Sequence, residues 1–120
     1  MKTDKTPGIT IYHNGCCGKS RGALEILQEQ KIPHTVRWYL TEPLSKIELK
    51  ALLKKLGMQP SELVRKNEEL YKEQYKGKNI SEQQWLTILA ENPVLIERPI
   101  VEKGDKAIVA RPPEKVFELL

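Results

Sequence analysis

Disulfide bonding cannot organise this chain, because its two cysteines, Cys16 and Cys17, are neighbours and cannot staple distant segments together. Metal ligands are scarce as well. Two adjacent thiols and two scattered histidines, His13 and His34, lack the spacing of a zinc site, so no bound metal is expected. No apolar run approaches the roughly 18 residues that a membrane span requires. The opening segment Met1–Gly8 is polar and has no apolar stretch of the kind a secretory signal carries. Internal repeats and low-complexity tracts are also missing. These absences make the cytoplasm the expected compartment, with no membrane partner.

What is present fits one ordinary globular domain. With 120 residues, 39% hydrophobic and 30% charged, the chain can bury a single modest core. A polar tail over 1–8 and one domain over 9–120 are expected. The formal charge of +4 mildly favours anionic partners. Its basic residues are interleaved with acids, as in Glu29-Gln30-Lys31 and Lys72-Glu73, which reads as solvated faces rather than a nucleic-acid patch.

The periodicity predicts a mixed α/β order. The β-branched run Ile9-Thr10-Ile11-Tyr12 reads as a strand, and residues 19–31 as a helix with Leu24 and Leu27 inward and Ala23 and Ile26 flanking. Pro33 ends that helix, and His34–Leu40 reads as a second strand, parallel to the first across a helical crossover. Ser45 with Glu48 forms a capping box, and Leu49, Leu52, Leu53 and Leu56 give the helix it opens one apolar face up to Gly57. A short helical piece is expected over 61–66. A further helix follows from Ser81 and Gln84, with Trp85, Ile88 and Leu89 inward, and Asn92-Pro93 closes it. Residues 99–102 and 107–110 read as a hairpin, and Pro112-Pro113 as the start of a last helix carrying Val116, Phe117, Leu119 and Leu120. Tyr12, Trp38, Trp85 and Phe117 are most simply core aromatics.

The segment with chemistry in it is His13-Asn14-Gly15-Cys16-Cys17-Gly18-Lys19-Ser20-Arg21. A strand–turn–helix reading puts a cysteine at a helix start, where free N–H groups and the positive end of the macrodipole favour an anion. A thiolate is one such anion and an oxyanion substrate another. A lone cysteine in that place is more often a small buried hydrophobe. Here Gly18, Lys19 and Arg21 weaken that structural reading, since nearby cations lower a thiol pKa from about 8.5 by one to several units. A nucleophilic cysteine in this segment is the reading to set against it. Ser20 leaves no Cys-x-x-Cys pair, so a mixed disulfide on Cys17 must be resolved by an external thiol. A Cys16–Cys17 bridge is disfavoured by the strain it places on the peptide between them. Cys16 is either a bystander or a second, resolving or protective thiol.

His13-Asn14-x-x-Cys17-x-x-Ser20-Arg21 resembles the active-site signature of the glutaredoxin-linked arsenate reductases, His-Asn-Pro-x-Cys-x-x-Ser-Arg. The likeness continues in 39–45, in Leu63-Val64-Arg65-Lys66-Asn67, in 92–101 and in Arg111-Pro112, and so spans about Ile9 to Leu120. It implies a thioredoxin/glutaredoxin-like mixed sheet with flanking helices and a helical insert between strands two and three. It further implies Cys17 as nucleophile and His13 as a residue that sets the thiol's charge state. Arg65, Arg98 and Arg111 become the oxyanion pocket, with Asn14, Ser20, Arg21 and Pro99 in support. Each of those arginines alone would read as a surface salt-bridge partner. Gly15 stands where the family has proline, which loosens the turn. Arg98-Pro99 takes the place of the loop proline that is commonly cis in this fold, whereas an X-Pro bond read unaided would be trans.

The activity so implied is reduction of arsenate to arsenite, with no bound cofactor, glutathione as co-substrate and glutaredoxin as partner. Two alternatives share the fold. One is an Spx-like transcription regulator that binds RNA polymerase, although the missing Cys-x-x-Cys opposes it. The other is a family oxidoreductase whose physiological substrate is not arsenate.

Overall fold

The computed structural model describes residues 8–13 and 18–120, and of residues 18–20 the backbone alone. Four strands, β1 (Ile9–Tyr12), β2 (His34–Arg37), β3 (Ile100–Lys103) and β4 (Lys106–Val109), form one sheet in the order β2-β1-β3-β4. β1 runs parallel to β2, with α1 (Gly18–Glu29) between them in sequence, and antiparallel to β3, which pairs with β4 as the hairpin expected from 99–110. The helical insert between β2 and β3 contains α2 (Lys46–Leu56), α3 (Glu69–Gln74) and α4 (Glu82–Glu91), with short 3-10 segments at Pro60–Leu63 and Pro93–Leu95.

Strand alternation sorts the core onto two faces. Ile9 and Ile11 of β1 and Val101 of β3 pack with Ala23 and Leu27 of α1 and with Val116 and Leu119 near the C-terminus. Ile100 and Ala107 face the other way, into a larger cluster with Leu49, Leu52 and Leu53 of α2 and Trp85 and Leu89 of α4. Adjacent residues Ile100 and Val101 thus serve opposite sides of the sheet.

Capping residues set the ends of the insert helices. Both predicted capping boxes form, Ser45 with Glu48 and Ser81 with Gln84. Gly57 ends α2 in the left-handed region at φ 67°, and its N–H and that of Met58 reach back to the Lys54 and Leu53 carbonyls. A side chain at Gly57 would be strained whatever the space around it.

Several expectations need correction. β2 stops at Arg37 rather than Leu40, because the Trp38 carbonyl accepts from the N–H groups of Thr41 and Glu42 and turns the chain. In α1 the fully buried residues are Ala23 and Leu27, while Leu24 is only partly buried. The piece expected over 61–66 is the 3-10 segment Pro60–Leu63, and the last segment, Pro113–Leu119, is also 3-10 rather than α-helical. Within that segment Val116 and Leu119 are buried, but Phe117 is 48% exposed and Leu120 44%. Trp38 is likewise 48% exposed, so only Trp85 of the two tryptophans is a core residue. Tyr12 is partly buried and donates to Glu102 Oε1 at 2.7 Å. Burial and that carboxylate hold its phenol well above the ordinary range. The peptide bonds Arg98–Pro99 and Arg111–Pro112 are both cis, the first as the family likeness implies and against the unaided reading.

Candidate functional site

Sheet register gathers the candidate residues at one end. Tyr12 pairs with Arg37 on one side and Ile100 on the other, and Ile100 pairs with Val109. The end of β1, the end of β2, the start of β3 and the end of β4 therefore coincide. Beyond them lie His13, Trp38, the Arg98-Pro99 pair and the Ala110-Arg111 pair. α1 begins at Gly18, immediately after Cys17 in sequence.

His13 continues the strand pairing, its N–H donating to the Arg37 carbonyl at 2.9 Å. Its ring is buried, at 3% exposure, and lies edge-on to Trp38 with centroids 4.8 Å apart. Trp38 thus covers the histidine with one face and leaves about half its surface to solvent. Below them Arg37 fastens this end of the sheet to α2. It donates to the Glu42 and Pro43 carbonyls at 2.9 Å each and to Glu48 Oε2 at 3.2 Å. The hydrogen bond from Arg37, then that from the Ser45 N–H, holds the Glu48 carboxyl below its usual range, and the same pairing raises Arg37.

Arg65 reaches this end through a local bridge. Val64 pairs with Ile96, the Arg65 N–H donates to the Leu95 carbonyl at 2.6 Å, and the Glu97 N–H donates to the Leu63 carbonyl at 2.9 Å. That bridge sets residue 65 beside the segment leading into Arg98. The Arg65 Nη1 is buried without a hydrogen bond among the described residues, 3.8 Å from Glu68 Oε2. Arg111 extends across the hairpin end, its Nη1 donating to the Arg98 carbonyl at 3.2 Å and lying 3.8 Å from Glu97 Oε1. Arg65 and Arg111 share a cleft of about 290 Å³ with Glu62, Lys66, Asn67 and Glu97.

Arg98 is not on the wall of that cleft, yet it is the most unusual of the three. It is 8% exposed, and its Nε and Nη1 have no hydrogen-bond partner among the described residues. A buried guanidinium with unmade hydrogen bonds costs stability, and such donors are rare unless something else satisfies them. Pro99, next to it, is fully buried and accepts from the Ala110 N–H at 2.8 Å.

Of the other candidates, Arg21 is exposed on α1. Asn14, Gly15, Cys16 and Cys17 lie outside the described residues, as does the side chain of Ser20. His34, for which no role is expected, has Nδ1 2.7 Å from the Ile32 carbonyl. Glu97 was not singled out by sequence reasoning. It stands between Ile96 and Arg98 with nothing to mark it, and only the fold shows it lining a cleft with two arginines. Partial burial raises its carboxyl above the ordinary range, and the nearby Arg111 opposes that rise. Among the described residues no group of three or more metal-ligating side chains occurs, and no helix is long and apolar enough to cross a membrane.

A sheet of this order, with one parallel and two antiparallel pairings and helices on both faces, is of the thioredoxin-like class. Within that class the chain belongs to the ArsC family, whose family model matches residues 12–119. Its sequence is 40% identical over 114 residues to the arsenate reductase of Haemophilus influenzae, covering 93% of this chain and 98% of that one. It is 42% identical to the uncharacterized protein YfgD of Escherichia coli K12, covering 96% and 98%. The solved structure of the arsenate reductase from Vibrio cholerae superposes with a TM-score of 0.90 at 42% identity, covering 97% of this chain and 100% of that one.

Proposed function

We propose that this protein is a thiol-dependent oxidoreductase that reduces arsenate to arsenite in the cytoplasm, with Cys17 as nucleophile and glutathione and glutaredoxin supplying the external thiols. The observation that carries the reading is Arg98, buried beside Arg111 with two nitrogens unpartnered among the described residues, at the sheet end where β1 finishes. Unmade donors in a guanidinium fork suit a tetrahedral oxyanion, which accepts several charge-assisted hydrogen bonds at once. Arg65 and Arg111, lining the cleft, supply further positive charge for the same anion.

In the proposed reaction the Cys17 thiolate attacks arsenic and an oxygen leaves as hydroxide, which the arginines favour by stabilising the charge that develops. A glutathione thiolate then attacks the Cys17 sulfur. The sulfur–arsenic bond breaks, its electron pair stays on arsenic, and arsenite departs. The two electrons come from the two sulfurs, which are left joined as a Cys17–glutathione disulfide that glutaredoxin reduces. His13, buried at the end of β1, acts in this scheme on the charge state of the thiol. Asn14, Ser20, Arg21 and Pro99 have supporting parts, and Cys16 has no required one.

Steady-state arsenate reduction with glutathione plus glutaredoxin, compared with thioredoxin plus its reductase, tests the reading. Cys17→Ser is expected to abolish turnover and Cys16→Ser to keep most of it. Oxidation in the presence of glutathione is expected to add one glutathione to the intact mass of the wild type and of Cys16→Ser. Internal bridging without an adduct, or turnover surviving in Cys17→Ser, would overturn it.

A further inference from the structure

The cleft lined by Arg65 and Arg111 also has a carboxylate in its wall that the proposed reaction leaves unused. Glu97 is fixed there by its backbone, since its N–H donates to the Leu63 carbonyl at 2.9 Å. Its Oε1 lies 3.8 Å from Arg111 Nη1, too far for a hydrogen bond, and that nitrogen donates instead to the Arg98 carbonyl. Among the described residues nothing hydrogen-bonds the Glu97 carboxyl. Arg111 attracts it without holding it.

Every element packed around Glu97 presents charge to it. Glu62 comes from Pro60–Leu63, Arg65 and Lys66 from the segment that follows, and Arg111 from beyond β4. On its other side are Lys115 and Glu118 of Pro113–Leu119. An oxyanion entering this space of about 290 Å³ meets Arg65 and Arg111, but also the carboxylates of Glu62 and Glu97. Two anions a few ångströms apart are not both ionised at low cost, and the group already half-desolvated is the one to take a proton. Burial already favours the protonated form of Glu97, and only Arg111 opposes it.

We infer that Glu97 takes up a proton when a tetrahedral oxyanion enters the arginine cleft and then donates a hydrogen bond to that anion, so that binding is coupled to proton uptake. The inference rests on the oxyanion reading of the cleft given above. Its sign follows from linkage: the bound state holds one more proton than the free state, so affinity falls as pH rises. Glu97 thereby becomes a substrate-contacting residue that strengthens anion binding as pH falls.

Sulfate is the probe to use, because it remains a dianion from mildly acidic to alkaline pH and so contributes no titration of its own. Isothermal titration of the full chain with sulfate, in pairs of buffers with different heats of ionisation, counts the protons taken up. For the wild type, uptake approaching one proton and a Kd rising by up to about tenfold per pH unit are expected above the point where Glu97 ionises. Glu97→Gln keeps the size and the donor, and is expected to bind sulfate with no proton uptake and a flat pH profile. At alkaline pH it should bind about tenfold tighter than the wild type, since one pH unit of coupling is removed. Thermal melts confirm that the variant is folded, and Arg111→Ala is the control that removes the site. If sulfate binds, is lost in Arg111→Ala, and yet binds without proton uptake, this inference fails while the oxyanion reading stands. If proton uptake persists in Glu97→Gln, the proton belongs elsewhere and the inference again fails. If sulfate does not bind the wild type at any pH, the oxyanion reading fails and takes this inference with it.

Discussion

Arg98 is held at a cost. Two of its nitrogens are buried without partners among the described residues, and each unmade hydrogen bond of this kind costs roughly 1–3 kcal/mol. Replacing such a group with an apolar one of similar length removes the desolvation penalty along with the charge, a trade that is often neutral or stabilising. Arg98→Met is therefore expected to leave the melting temperature unchanged or raise it, while arsenate turnover falls at least tenfold. An oxyanion that satisfies the guanidinium should also stabilise the wild type by mass action and fail to stabilise the variant. Differential scanning fluorimetry with and without arsenate or sulfate, beside steady-state kinetics, separates the two effects. A variant that loses stability and activity in parallel would make Arg98 a structural residue.

At the scale of elements, the close approach of α1 to the C-terminal segment depends on one missing methyl group. A Cβ at Gly22 would lie 2.9 Å from Cγ of Pro113 and 3.3 Å from its Cβ, and the proline ring has little freedom to yield. Alanine in a helix is favoured over glycine by about 1 kcal/mol, whereas overpacking of this kind costs about 1–3 kcal/mol. Overpacking is expected to win. Gly22→Ala should lower stability by up to about 2 kcal/mol in urea denaturation, and a gain in stability would show that Pro113 moves aside freely. Nothing in the sequence marks Gly22, because the clash is with a residue ninety-one positions away. Local signals fared differently. Ser45 with Glu48, Ser81 with Gln84, the leucine spacing of α2 and Gly57 are short-range devices, legible because cause and effect lie within a turn or two. Trp38-Tyr39-Leu40 has strand-like composition, yet a turn closed by Thr41 and Glu42 ends β2 before it. α3 was missed altogether, being six residues long with no fully buried side chain. The candidate site divides in the same way: motifs mark Arg65, Arg98 and Arg111 in the sequence, but Glu97 comes to the same end of the sheet only when the Val64–Ile96 bridge brings its backbone to Leu63.

The whole molecule is held together by a sheet that feeds two clusters. Ile100 and Val101 are consecutive, and one belongs to the cluster around α2 and α4, the other to the cluster around α1. Neither side of the sheet can lose its packing without freeing the backbone that the other side needs, so the two clusters are expected to melt together. The tryptophans allow a direct check. Trp85 belongs to the α2–α4 cluster, and Trp38 lies at the exposed end of the sheet, so Trp38→Phe leaves a fluorophore that reports one cluster alone. In that background, Leu27→Ala truncates a fully buried residue of the opposite cluster, at an expected cost of about 2–5 kcal/mol. If unfolding is cooperative, the Trp85 fluorescence transition and the far-ultraviolet circular dichroism transition shift to lower denaturant by the same amount. Truncating Leu89, which packs in the same cluster as Trp85, should move both curves in the same way. A Trp85 transition unmoved by Leu27→Ala would mean that the two faces unfold independently. The arginine end, which draws residues from beyond β4 and from the segments leading into β3, could then lose its geometry while the α2–α4 packing survived. Coincident curves would instead make the arginine end as stable as the sheet that assembles it.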